Sequence, residues 1–141
     1  MYKFGTKSNS KLETCHPALE KVVRRALQLS PYDITIIHGY RGEEVQNSLF
    51  DAGLSKLPYP ASKHNKTNNF NQPCSEAIDF APWVNNGIDW KDTLIFSVVV
   101  GIMIAAAKEQ GVTLRWGGDW DSDGSSRDQS FMDIGHVEII L

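Results

Sequence analysis

The chain has 141 residues, 41% hydrophobic and 22% charged, with a formal net charge of −3. That is enough for one domain, residues 1–141, with a core that needs no disulfide. Neither the acidic balance nor any basic, aromatic-interleaved stripe suits nucleic acid, and the longest apolar run, Leu94 to Ala107, has 14 residues where a bilayer span needs ~20.

Met1-Tyr2-Lys3-Phe4-Gly5 carries no apolar stretch behind its lysine. No secretory signal is therefore expected, and synthesis and retention in the cytoplasm are. In that reducing compartment the two cysteines, Cys15 and Cys74, are expected to be free thiols. Pro17 to Leu29 has helical spacing, with Leu19, Val22, Val23, Ala26, Leu27 and Leu29 on one face and Lys21, Arg24, Arg25 and Gln28 opposite. Pro17 suits the first turn and Ser30-Pro31 the stop. Asp33 to His38 is short and β-branched, hence a strand. Gly39-Tyr40-Arg41-Gly42 turns into a helix from Glu43 to Asp51, closed by Gly53.

Residues 54–75, with Pro58, Pro60, Pro73 and several asparagines, read as one loop, long for a compact domain and so a candidate for function. Glu76 to Ala81 reads as a strand. Trp90 to Gln110 reads as a helix, with Asp89 as N-cap and Gly111 as C-cap. Val112 to Trp116 and His136 to Leu141 read as two last strands. Helices and strands mix without a β-α-β rhythm, which predicts an α+β fold.

Three residues at loop–strand edges can ligate a metal: His64, Asp79 and His136. Two imidazoles and a carboxylate form the ligand set of a catalytic zinc whose fourth position stays open. Each alone has a plain alternative, a hydrogen-bonded histidine or a turn carboxylate. Asp79 is the exception, because Ala77-Ile78-Asp79-Phe80-Ala81 is otherwise apolar and a buried carboxylate needs a partner. Asp133, three residues before His136, is the candidate acid/base for a metal-activated water. Glu138 shares His136's strand face. It reads either as a group holding a ligand's ring nitrogen or as a surface residue.

These pieces, in this order, resemble the D-alanyl-D-alanine carboxypeptidase and dipeptidase group of zinc peptidases, and are especially similar to its phage L-alanyl-D-glutamate endopeptidases. The resemblance rests on Lys3-Phe4-Gly5-Thr6-Lys7-Ser8, Arg24 to Asp33, Gly39-Tyr40-Arg41 with Gln46, Ser62-Lys63-His64 and Ala77-Ile78-Asp79-Phe80-Ala81-Pro82. It continues through Trp116-Gly117-Gly118-Asp119-Trp120 to Asp133-Ile134-Gly135-His136-Val137-Glu138. It implies a small antiparallel sheet flanked by helices, of the hedgehog/D-Ala-D-Ala-peptidase type. It also implies Zn2+ held by His64, Asp79 and His136, with Asp133 as acid/base. Arg41 would bind a substrate carboxylate or polarise the scissile carbonyl, and Ser62 would be a polar substrate-side residue.

The implied substrate is bacterial peptidoglycan, cut at L-Ala–D-Glu by a monomeric endolysin. Such an enzyme is made in the host cytoplasm and reaches the wall after holin-type release. D-Ala–D-Ala carboxypeptidase activity, or a non-catalytic zinc-containing wall-binding module, are the alternatives. One departure stands out: His64 and Asp79 lie 15 residues apart, wider than the family's usual spacing, with an asparagine-rich insertion at 65–75. If that insertion moves His64, His38 is the spare imidazole.

Asp119-Trp120-Asp121-Ser122-Asp123-Gly124 has the D-x-D-x-D-G opening of a calcium loop. Its twelfth position is Ser130 rather than glutamate, so an EF-hand is not expected. Asp128 could supply the missing oxygen. Calcium-regulated relatives make Ca2+ at Asp119, Asp121, Asp123 and Asp128 a candidate regulator, against a solvated acidic turn.

Overall fold

A computed structural model describes residues 1–125, 127 and 132–141. Its helices are α1 (Thr6–Leu12), α2 (Pro17–Leu29), α3 (Glu43–Asp51) and α4 (Thr93–Glu109). Its strands are β1 (Asp33–His38), β2 (Ala77–Trp83), β3 (Thr113–Trp116) and β4 (His136–Ile140). The strands form one antiparallel sheet in the order β1-β2-β4-β3. The α+β architecture expected from the sequence is the one observed.

Period-2 alternation gives the sheet two chemically distinct faces. Ile34 and Ile36 of β1, Ile78 and Phe80 of β2, and Val137 and Ile139 of β4 join α2 and α4 in one buried core. The residues between them, Asp79, His136 and Glu138, lie on the opposite face. His38 would share the apolar face with Ile34 and Ile36. A bulge between Ile36 and His38 shifts the register, so that Ile36 pairs with Phe80 but His38 pairs with Asp79. The extra residue thereby turns His38 to the polar side. Asp79 in turn pairs with His136, which sets His38, Asp79 and His136 in a row across three strands.

Helix α1 lies outside the sequence expectations, being seven residues long with little amphipathic signal. Its place is tertiary. It covers the edge strand β1, where Ser8 Oγ accepts from Ile36 N–H (3.1 Å) and Lys11 Nζ donates to Ile36 C=O (3.2 Å). An unpaired edge is thus satisfied by side chains. The chain leaves β1 directly beneath this helix: a Cβ on Gly39 would sit 2.3 Å from the Lys11 carbonyl oxygen.

Both ends of α4 differ from expectation. Helix α4 begins at Thr93, not Trp90, because Asp92 rather than Asp89 accepts the capping N–H, from Ile95. Asp89 instead closes a preceding turn onto Lys91 N–H, while Trp90 stacks on Phe96 at 5.6 Å. The helix ends at Glu109 with Gln110 as C-cap, one residue earlier than expected, and Gly111, with φ +69°, supplies a left-handed exit just beyond the cap.

The 54–75 loop also contains more structure than its composition suggests. Lys63–Asn65 form a 3-10 turn capped by Ser62. Beyond it the chain makes a small hairpin: Cys74 N–H bonds to Lys66 C=O, Thr67 bridges Pro73, and Asn68 N–H bonds to Gln72 C=O. Cys15 and Cys74 are free. Among the described residues, no helix is long and apolar enough to cross a membrane.

Candidate metal centre and active-site cleft

Asp79 of β2 and His136 of β4 are placed by strand pairing, whereas His64 arrives from the 3-10 turn. Three contacts hold that turn. Arg41 N–H donates to His64 C=O (2.8 Å), Glu76 N–H donates to Lys63 C=O (3.0 Å), and Lys63 Nζ donates to the Ile139 carbonyl. The insertion folds on itself as the hairpin beyond these anchors, so it leaves His64 facing Asp79 and His136.

The donor atoms form a nearly equilateral triangle. His64 Nε2, His136 Nδ1 and Asp79 Oδ1 are each 3.3 Å from the other two. A tetrahedral zinc with bonds of about 2.0–2.1 Å has ligand–ligand edges of about 3.3–3.4 Å. The outward atoms of all three side chains are engaged elsewhere. His64 Nδ1 meets Gly39 C=O at 2.8 Å, and His136 Nε2 meets Glu138 Oε1 at 2.8 Å. Asp79 Oδ2 accepts from the Arg41 guanidinium and lies 3.1 Å from His38 Nδ1. Each residue therefore presents one donor to the centre, and the group fits a three-ligand zinc.

Charge is balanced around the triangle. Burial opposes ionisation of Asp79, but His64 and hydrogen bonds from His136 and His38 hold it well below the usual carboxylate range. Burial pushes His64 down. His136 is pushed up to about 9, since its bonds with Asp79 and Glu138 outweigh burial. Glu138 is held at about 2, where His136 and Arg115 overcome burial.

Asp133 precedes β4, fixed by Asp133 N–H to Gly117 C=O (2.9 Å). Burial, and then the nearby Asp79 charge, raise its carboxyl above the ordinary range, which suits a group that must carry a proton. Asp133, His136, Arg41 and Ser62 all line a cavity of about 730 Å³. Arg41 is 9% exposed and braced by Gln46 Oε1 at 3.3 Å, and its buried Nε has no hydrogen-bond partner among the described residues. Ser62 contributes its hydroxyl mainly as a cap, accepting from His64 N–H at 3.2 Å.

Sequence reasoning had His38 only as a spare ligand. It stands outside the triangle, on Asp79 Oδ2, and only the β1 bulge reveals that position. Trp120 also stands at the centre, its ring 5.2 Å from that of His136; nothing in its local sequence marks that position. Asp119, Asp121 and Asp123 do converge, with carboxylate atoms within 4.8 Å of one another. Asp128 lies outside the described residues.

The model of a family described as phage L-alanyl-D-glutamate peptidase matches residues 1–140. A curated relative, the L-alanyl-D-glutamate peptidase of Escherichia phage T5, is 40% identical over 142 residues, covering 99% of this chain and 98% of the relative. Among solved structures, the Serratia marcescens L-Ala D-Glu endopeptidase ChiX superposes with a TM-score of 0.77 at 23% identity, covering 99% of this chain and 90% of that one. The fold is shared with ChiX, and by family match and full-length identity the chain belongs to the phage L-alanyl-D-glutamate peptidases.

Proposed function

We propose that this chain is a zinc peptidase that hydrolyses the L-Ala–D-Glu bond of peptidoglycan stem peptides and serves as a phage endolysin. The observation that carries the reading is the 3.3 Å triangle of His64 Nε2, Asp79 Oδ1 and His136 Nδ1 with its outward atoms engaged, in a chain of this family. When bound there, zinc supplies Lewis-acid stabilisation of developing oxyanion charge and a more acidic water.

The chain's own residues supply the rest. Asp133 takes a proton at its carboxylate and returns it to the leaving amine nitrogen. Its raised affinity for protons assists that return. Arg41 is anchored through Asp79 and Gln46 and lines the cleft. It binds a substrate carboxylate or carbonyl oxygen, a task that suits a permanently charged guanidinium. Ser62 holds the His64 turn at the cleft wall.

The reading takes the enzyme to act as a monomer. An endolysin made in the host cytoplasm reaches the wall by a holin-type route. The candidate calcium loop at Asp119, Asp121 and Asp123 is supported by convergence of its carboxylates and by its position shortly before Asp133. Lytic rate with and without added calcium, at fixed zinc, tests it.

Digestion of purified peptidoglycan with mass spectrometry of the new termini tests the main reading. New N-terminal D-Glu supports it. Free D-Ala overturns the assignment of the bond, and absence of cleavage by zinc-loaded protein overturns the enzyme.

A further inference from the structure

We infer that Glu138 is a positioning residue for His136, holding the proton on Nε2 so that Nδ1 is left as the metal donor; this rests on the zinc reading above. Glu138 is 5% exposed, deep for a carboxylate. Its two oxygens divide the work. Oε1 lies 2.8 Å from His136 Nε2. Oε2 accepts from Arg115 at 2.6 and 3.2 Å, with Lys63 Nζ at 3.7 Å.

The arrangement follows from the strands. His136 and Glu138 are two apart on β4 and share a face, while Arg115 of β3 pairs directly with Glu138. Arg115 and Lys63 offset the cost of burying the anion, so Oε1 is held at the ring without being neutralised by a proton.

A neutral imidazole carries one proton, on either nitrogen, and only the other nitrogen can donate to a metal. His136 Nδ1 is the atom 3.3 Å from Asp79 Oδ1 and from His64 Nε2. An acceptor at Nε2 therefore selects the tautomer the triangle requires and stops the ring from turning about its Cβ–Cγ bond. For His64 a backbone carbonyl, Gly39 C=O, does the same at 2.8 Å. Substitution cannot remove that acceptor, whereas His136 depends on a side chain. Losing such an outer partner typically weakens metal binding by about 10–100-fold.

The test is zinc affinity by chelator competition on the full chain, with Glu138→Ala, Glu138→Gln and Arg115→Gln, alongside 15N NMR of the His136 ring in zinc-loaded wild type. We expect Glu138→Ala to bind zinc about 10–100-fold more weakly. Glu138→Gln, whose amide oxygen can still accept from Nε2–H, should lose less. Arg115→Gln should stay near wild type, and NMR should show His136 protonated at Nε2. If Glu138→Ala does not fold, Glu138→Met, which keeps the length of the side chain and removes the acceptor, decides: a loss supports the inference and unchanged affinity overturns it. Arg115→Gln reproducing the whole loss, or a proton on Nδ1, also overturns it. Wild type that takes up no zinc sinks the peptidase reading first. Wild type that binds zinc, with Glu138 variants that bind equally, sinks this inference alone.

Discussion

Replacing Gly117 with alanine should cripple turnover while leaving the zinc ligands in place. Gly117 follows β3, donates its N–H to His136 C=O and accepts from Asp133 N–H, both at 2.9 Å. A Cβ there would lie 2.1 Å from the Asp133 carbonyl oxygen and 2.9 Å from Asp133 Cβ. Ordinary contact begins near 3.4 Å, so the segment must open by more than 1 Å at Asp133. A displacement of about 1 Å in a group that moves protons costs about 100-fold in rate, or about 2.7 kcal/mol of barrier. Overpacking against backbone adds a stability loss of about 1–3 kcal/mol.

The assay is kcat for release of the new amine from a stem peptide, with zinc content and melting temperature measured on the same sample. Gly87→Ala is the control, since a Cβ there meets nothing within 4 Å. A Gly117→Ala enzyme with kcat within twofold of wild type would refute the claim that this turn positions Asp133 for catalysis. A variant that loses zinc in proportion to activity would refute the claim that the damage is confined to Asp133.

Asp133→Asn should lower kcat by at least about 100-fold with zinc content unchanged; retained turnover would remove Asp133 from proton transfer. His64→Ala should abolish stoichiometric zinc uptake measured by atomic emission, whereas His38→Ala should keep one zinc, because His38 lies on Asp79 Oδ2 outside the triangle. The reverse pattern would make His38 the ligand. Burial pushes the Cys15 thiol up to about 12, so the folded chain keeps this proton after the unfolded chain has lost it. The unfolded state then binds fewer protons, and stability should fall by about 1.4 kcal/mol per pH unit between about 9 and 12, with no contribution below. Chemical denaturation across that range should show a shallower slope for Cys15→Ala, and equal slopes would contradict the buried thiol.

Much of the chemistry was legible from order alone. Asp79 inside an apolar strand pointed to a buried carboxylate with partners, which the structure supplies, and Asp133-x-x-His136 pointed to two groups at one site, which share the cleft. Strands β1 and β2, helices α2 and α3 and the apolar body of α4 could be read because periodicity is a local property of the chain. Residues 54–75 read as one long loop because the order they contain comes from backbone bonds to Arg41 and Glu76 and within their own hairpin, which leave no period in the sequence.

The sequence by itself determined which residue types were available: two imidazoles, a carboxylate, an acid/base and a cation, on elements whose apolar faces dictate an α+β core. Only the tertiary structure decided which atom of each residue faces the centre. The β1 bulge turns His38 onto Asp79 Oδ2 and leaves Oδ1 free. Glu138 and Gly39 C=O take the outer nitrogens of His136 and His64. The physical reason is that a donor atom is chosen by its neighbour's hydrogen bond, and which neighbour reaches the ring is a matter of folding: Glu138 shares the face of β4 with His136, while the Gly39 carbonyl comes to His64 from 25 residues away. The insertion that lengthens the His64–Asp79 spacing leaves His64 beside Asp79 because backbone bonds, not sequence distance, hold its turn in place.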